Sequence, residues 1–225
     1  MSEQVLAQLV ELSREIGMPE YELAILGEGN TSALNADGTF WVKASGSTLR
    51  TIDASSGFAL LDHAATVDLL EREMRTDAEI LAALMSVRVG SSDRRPSIEA
   101  MMHAFLLGIA GVNFVGYSHP IPVNAILCST RAEELATACL FPDQIVCCGP
   151  SPVFVPYADP GLPLARLVRD RVNAWMDMNG MAPKAIMLQN HGLFALGATP
   201  AAVMSCTLMW SKTARLSPGQ WPVAA

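Results

Sequence analysis

The stretch Val112–Leu127, VNFVGYSHPIPVNAIL, places the tightest limits on how the chain can fold. Its first residues, with Val112, Phe114 and Val115, have the β-branched and aromatic character of a buried strand, and His119-Pro120 closes that strand with a turn. A histidine at such a strand end is presented to a cleft by a rigid scaffold. The chain has 4 histidines, and a second one is placed in the same way. The run Ala185–Leu188 meets the polar turn Gln189-Asn190-His191-Gly192, after which another apolar run continues to Gly197. Two strand-end imidazoles, neutral near pH 7, can converge on one metal ion. Each can equally be a hydrogen-bonded turn residue, and on these two residues alone both readings stay open.

At 225 residues the chain suits one domain, residues 1–225, with a substantial core. Hydrophobic residues make up 51% and charged residues 16%, so much apolar surface is expected to be hidden in a core or between copies. A net charge of −7 argues against nucleic acid or an anionic membrane as partner. The longest uncharged run, Ala104–Thr130, is broken by Gly108, Gly111, Asn113, His119, Pro120, Pro122 and Asn124, which excludes a membrane span. The N-terminus lacks the basic-then-apolar layout of a signal. The 5 cysteines have no C-x-x-C spacing and read as reduced thiols, so the cytoplasm is expected.

In chain order, Ser2 can cap a helix carrying Val5, Leu9, Leu12 and Ile16, stopped by Gly17. Asn35-Ala36-Asp37-Gly38 is a hairpin turn between strands Thr31–Leu34 and Thr39–Lys43. Gly/Ser/Asn-rich turns flank that hairpin, at 27–32 and 44–48. They could form an anion cradle from backbone N–H groups and hydroxyls, or be ordinary loops. No Walker or G-x-G-x-x-G pattern is present, so nucleotide binding is not indicated. Phe58–Leu61 reads as a strand, Ala64–Glu73 and Asp77–Val87 as helices, and Ser91–Pro96 as the most polar loop. Ser97 can cap the next helix, with Glu99 in its first turn and His103 one turn on along the same face. Among Met101, Met102, Phe105 and Leu106, His103 reads as a core residue. Further on, Arg131–Leu140 reads as helix, Gln144–Cys148 as strand, Pro150–Pro163 as a proline-rich connection, and Leu164–Met178 as an amphipathic helix. A last helix is expected from about Thr199 to Ala214, and the tail Leu216–Ala225 has no element of its own. Short strands interspersed with helices, including a hairpin, favour an α/β fold: a mixed, largely antiparallel sheet with helices on its faces.

Five stretches carry a resemblance. They are GEGNTS at 27–32, KASGSTL at 43–49, RPSIEAMMH at 95–103, YSHP at 117–120 and LQNHGLFALG at 188–197. In order and spacing they resemble the class II aldolase/adducin family. VNAILC at 123–128 and PYADPGLPLA at 156–165 look more like the aldolase half of longer aldolase–dehydrogenase fusion proteins. The resemblance spans about residues 6–212. It implies an α/β/α fold, a small hydroxy-carbonyl substrate, retro-aldol cleavage and one divalent metal ion of the Zn²⁺ type. The metal set it implies is His119, His191 and Glu99, with Tyr117 where the family has another histidine. Glu99 becomes the general acid/base, and Asn30, Ser45, Gly46 and Ser97 fall where the family binds a phosphate or other anion. It further implies a homotetramer with sites near subunit boundaries.

Three departures stand out. Tyrosine is far less acidic than an imidazole ligand is basic. Tyr117 therefore ligates weakly, or water takes its place, or the site is metal-poor. Ile98 stands where a second phosphate serine is expected. The stretch after the last helix is also short for a tail that completes a neighbour's site. Decarboxylase, dehydratase or epimerase chemistry on a non-phosphorylated substrate, and a non-catalytic adducin-like assembly role, are the alternatives.

Overall fold

The computed structural model describes residues 2–74, 76–90 and 94–216. Among them, seven strands form one sheet: β1 (Asn30–Leu34), β2 (Thr39–Lys43), β3 (Phe58–Asp62), β4 (Phe114–Ser118), β5 (Val153–Val155), β6 (Ala185–Leu188) and β7 (Gly192–Gly197). Their order is β3-β2-β1-β4-β7-β6-β5. Every pairing is antiparallel except β5 with β6. The α/β fold with a mixed, largely antiparallel sheet and helices on its faces is therefore as expected.

Both faces of the sheet are buried, which is why its strands read as continuous apolar runs. Side chains still alternate. Val115 and Tyr117 of β4, Phe194 and Leu196 of β7, and Ile186 and Leu188 of β6 join one core, with α4 (Ala100–Leu107) and α8 (Leu162–Asn179). Phe114, Leu193, Ala195, Ala185 and Met187 join the other, with α1 (Ser2–Ile16) and α9 (Pro200–Leu216). On this second face Gly116 lets β4 approach the helices: a Cβ there would lie 2.7 Å from Val203 Cγ1. The remaining helices are α2 (His63–Asp68), α3 (Asp77–Ser86), α5 (Ile121–Leu127), α6 (Ala132–Thr137) and α7 (Pro142–Cys148). No helix among the described residues is long and apolar enough to cross a membrane. All five cysteines are free thiols.

Several local expectations are corrected. Gln144–Cys148 is not a strand but most of α7, which Pro142 opens at its first turn. The Gln144 side chain donates to Ala138 O at 2.7 Å and accepts from Leu140 N at 3.0 Å. A short apolar run looks alike in strand and helix, and here the proline and glutamine decide. The proline-rich connection 150–163 contains β5, bracketed by Pro152 and Pro156. It lies at the end of the strand order, where missing N–H donors cost nothing. The stretch after His119 folds as α5, with Pro122 in its first turn. The Ala64–Glu73 helix is α2, capped by Asp62 and continued by a 3₁₀ turn at Leu69–Glu71. The Ser2 cap rests on a side chain outside the described residues, as do 91–93 of the polar loop and 217–225 of the tail.

Candidate active site

The site grows from three adjacent strands. Asn30 on β1 is the register partner of Tyr117 on β4, and Tyr117 that of Phe194 on β7. The Tyr117 and Phe194 rings stack at 4.4 Å, which pins the phenol on the sheet. Over this row runs α4. Asn30 Nδ2 donates to Glu99 Oε2 at 3.1 Å, and the Ser32 hydroxyl pairs with His103 Nδ1 at 2.7 Å. Two residues along a strand advance about 6.8 Å and four along a helix about 6 Å, so two neighbouring same-face strand residues meet one helical turn. Glu99 itself is the N-cap of α4 and not a first-turn residue. Ser97 does not cap the helix directly. Its hydroxyl accepts from Glu99 N at 3.3 Å, shaping the turn that delivers the carboxylate.

His119 leaves the end of β4 with its backbone N–H on Leu23 O at 2.8 Å. His191 occupies the β6–β7 turn, where Asn190 adopts the left-handed conformation (φ 56°). The backbone of this turn is tied to α5: Asn190 N donates to Leu127 O at 3.1 Å, and Asn124 Nδ2 donates to His191 O at 3.0 Å. The two imidazole centroids are 5.6 Å apart. Gly192 makes the approach possible, because a Cβ there would stand 2.6 Å from Ser118 O and 2.8 Å from His119 Cδ2. Gly29 has a similar role below the site. Its φ of 79° and a Cβ position 3.0 Å from Tyr117 O exclude a side chain.

Two residues that the sequence did not single out complete the cluster. Glu28 Oε2 lies 3.1 Å from His119 Nδ1, while its Oε1 accepts from Ile25 N at 2.6 Å. Lys43, at the end of β2, is buried and reaches Gly27 O at 3.3 Å. Neither contact follows from periodicity. The only signals were a carboxylate inside a glycine turn and a lysine carried from a strand into a Gly/Ser turn.

The electrostatics separate these groups. Desolvation raises the Glu99 carboxyl above its ordinary value, opposed by the Asn30 hydrogen bond and by His119 and Lys43. Burial lowers Lys43, with Glu99 opposing. Burial, with Glu99 and Glu28 adding to it, raises the Tyr117 phenol well above 10. Burial and then His119 lower His191, keeping that ring neutral. His103, fully buried, is pushed down to about 3 by desolvation and then Lys43, and its Nε2 has no hydrogen-bond partner. It is a core residue.

Among the described residues, no group of three or more His, Cys, Asp or Glu side chains could hold a metal ion. The donor chemistry fits a divalent ion as a pair: two imidazoles with centroids 5.6 Å apart, with Glu99 near His119. The Tyr117 phenol, held protonated, does not add a third strong donor. Asn30 and Ser97 sit with Glu99. Ser45 and Gly46 are exposed and line a polar basin of about 490 Å³ whose wall includes Arg94 and Arg95. Ser45 N already donates to Arg95 O at 2.8 Å, so this N–H is not free for an anion.

The chain is similar to an uncharacterized oxidoreductase, YuxG, of Bacillus subtilis (strain 168), with 31% identity over 183 residues. That match covers 77% of this chain and 24% of YuxG, so the chain spans about a quarter of that protein. A solved N-terminal class II aldolase domain of a conserved protein from Thermoplasma acidophilum superposes with a TM-score of 0.71 at 26% identity, covering 94% of this chain and 92% of that one. L-Fuculose-1-phosphate aldolase from Thermus thermophilus shares the fold at 13% identity, with a TM-score of 0.64 and 96% and 94% covered. The profile of the class II aldolase and adducin N-terminal domain matches residues 7–217. With that match over nearly its whole length, the chain belongs to the class II aldolase and adducin family.

Proposed function

We propose that this protein is a lyase that cleaves a small hydroxy-carbonyl compound, sugar-like or phosphorylated, by a retro-aldol reaction. The observation that carries this reading is the convergence of His119, His191 and a desolvated Glu99 at one end of the sheet. His119 and His191 would hold a divalent ion of the Zn²⁺ type, with Glu99 near His119. Such an ion supplies Lewis-acid polarisation of a carbonyl oxygen. Glu99 handles the proton at carbon. In the cleavage direction the β-hydroxyl gives its proton to solvent water, the bond between the α and β carbons breaks, and the aldehyde leaves. The electron pair left on the α carbon then takes a proton from the Glu99 carboxyl. A carboxyl raised by burial keeps more of its acid form near neutrality, as this step needs. Asn30, through its amide on Oε2, orients the carboxyl, and Lys43 limits how far its acidity is suppressed.

Assembly belongs to the same reading. The apolar chain exposes Ile25, Leu26 and Ile121 beside the site, as a homotetramer with sites near subunit boundaries would use them. Ile98, in the place expected for a second hydroxyl, favours a second reading: decarboxylation, dehydration or epimerisation of a non-phosphorylated acid by the same groups. Aldehyde release from paired phosphorylated and free ketoses, with and without added Zn²⁺, Mn²⁺ or Co²⁺, tests the proposal. Metal-stimulated aldehyde release supports it, and no release from any of them with every metal contradicts it.

A further inference from the structure

Both ring nitrogens of His119 are engaged. Nδ1 faces Glu28 Oε2 at 3.1 Å, and Nε2 faces the Tyr117 hydroxyl at 2.8 Å. A carboxylate only accepts, so Nδ1 carries the ring proton. In a neutral imidazole the other nitrogen is then the acceptor, and the phenol has one proton to give it. Glu28, His119 and Tyr117 thus form a hydrogen-bonded chain through both ring nitrogens.

Resting on the reading that His119 and His191 hold the divalent ion, we propose that Tyr117 is a cap on His119 and not a ligand: its O–H occupies the Nε2 lone pair that the ion would need, and Glu28 fixes the tautomer that makes this possible.

Distance makes the competition direct. Metal–imidazole bonds are about 2.0–2.1 Å long, so an ion on the Nε2 lone pair and a phenolic oxygen 2.8 Å out on the same line cannot coexist. The phenol is also poorly able to retreat. Its ring is 1% exposed, stacked on Phe194 and edge-on to both His119 and His191. The Gly192 backbone closes in as well: a Cβ there would be 3.1 Å from Tyr117 Cε2. Loading therefore requires the His119 ring to turn off the phenol, at the cost of a half-buried hydrogen bond. His191 has no such partner: among the described residues, its ring nitrogens make no hydrogen bond. The pair is asymmetric, with His191 open and His119 capped.

Titration of metal-free full-length protein with Zn²⁺ and Co²⁺ by calorimetry tests the cap. Y117F removes the competing proton while keeping the ring, so it should bind about 2- to 10-fold tighter than wild type, the worth of one hydrogen bond. A Y117F protein that binds more weakly shows the phenol to be a ligand, and one unchanged within twofold shows that it does not oppose the ion; either overturns the proposal. Y117H separates this from the reading beneath it. If even three imidazoles bind no ion, the metal reading itself falls, and the cap with it. A second arm needs no metal. Nitrogen-15 spectra of the ligand-free protein should show His119 as the Nδ1–H tautomer, and a Nε2–H tautomer would overturn the proposal.

Discussion

Asn30–Glu99 and Ser32–His103 are the same construction used twice, one helical turn apart. In each, a small polar residue of β1 holds a titratable side chain of α4. Their fates differ because of where the turn falls. The Ser32–His103 pair lies under Phe194, whose ring is 5.3 Å from the imidazole, and is sealed. The Asn30–Glu99 pair lies at the strand end, where β4 gives way to His119 and the β6–β7 turn brings His191. Burial drives His103 to its neutral form and leaves it inert. At Glu99, which is only half-buried, desolvation instead raises the carboxyl, opposed by Asn30, His119 and Lys43. One turn of helix separates a sealed histidine from a half-buried carboxyl.

The comparison breaks most visibly at Glu99. Replacing Glu99 by Gln keeps the Asn30 side and removes the proton, so turnover should fall by at least about 10²-fold with a melting temperature that does not fall. Near-normal turnover would move the acid/base role elsewhere. His103→Leu should do the reverse, leaving turnover of the folded protein intact but destabilising the fold by about 1–3 kcal/mol, because Ser32 Oγ loses its buried partner. Denaturant melts measure it, and a neutral result would show that the pair contributes nothing.

Acid titration sharpens the contrast, since the two shifts have opposite signs. The unfolded chain protonates His103 near its ordinary 6.5, whereas the fold resists until about 3. Stability attributable to His103 is complete above 6.5 and is lost as pH falls through that window. For Glu99 the folded carboxyl is raised, so the fold binds its proton more tightly than the unfolded chain, and stability is lost as pH rises above the ordinary carboxyl range. Difference curves of wild type against His103→Leu and against Glu99→Gln should therefore slope in opposite directions. Parallel slopes would contradict the assignments.

Smaller effects follow at the edges of the site. Gly192→Ala drives a methyl against Ser118 O and His119. It should cost about 1–3 kcal/mol and weaken metal binding, measured by melting and by calorimetry. Ile98→Ser offers one hydroxyl near Ser97 and should lower KM for a phosphorylated substrate relative to its free counterpart by about 2- to 10-fold. An equal change for both would favour the non-phosphorylated class.

What the sequence showed was local. The NHG turn, the strand-end His119, the hairpin and the Glu99–His103 spacing each follow from a short pattern, and they placed the core and the ends of the sheet. Elements whose prolines mimic loops were hidden: α5 begins on Pro120 and Pro122, and β5 lies between two prolines. Contacts between distant segments were hidden for another reason. Glu28 and His119 are 91 residues apart, and no periodicity links a loop carboxylate to a strand-end imidazole. Ser45 and Gly46 line a polar basin with Arg94 and Arg95, and Ser45 N–H is spent on Arg95 O. Composition finds a polar turn without saying which way it opens.

The central claim is that His119 and His191 act together on one ion beside Glu99. Anomalous diffraction at the zinc edge from crystals soaked with Zn²⁺ tests it most directly. The account predicts a single strong peak within bonding distance of an imidazole nitrogen of both His119 and His191. A peak elsewhere, or none at this pair under saturating zinc, would contradict it.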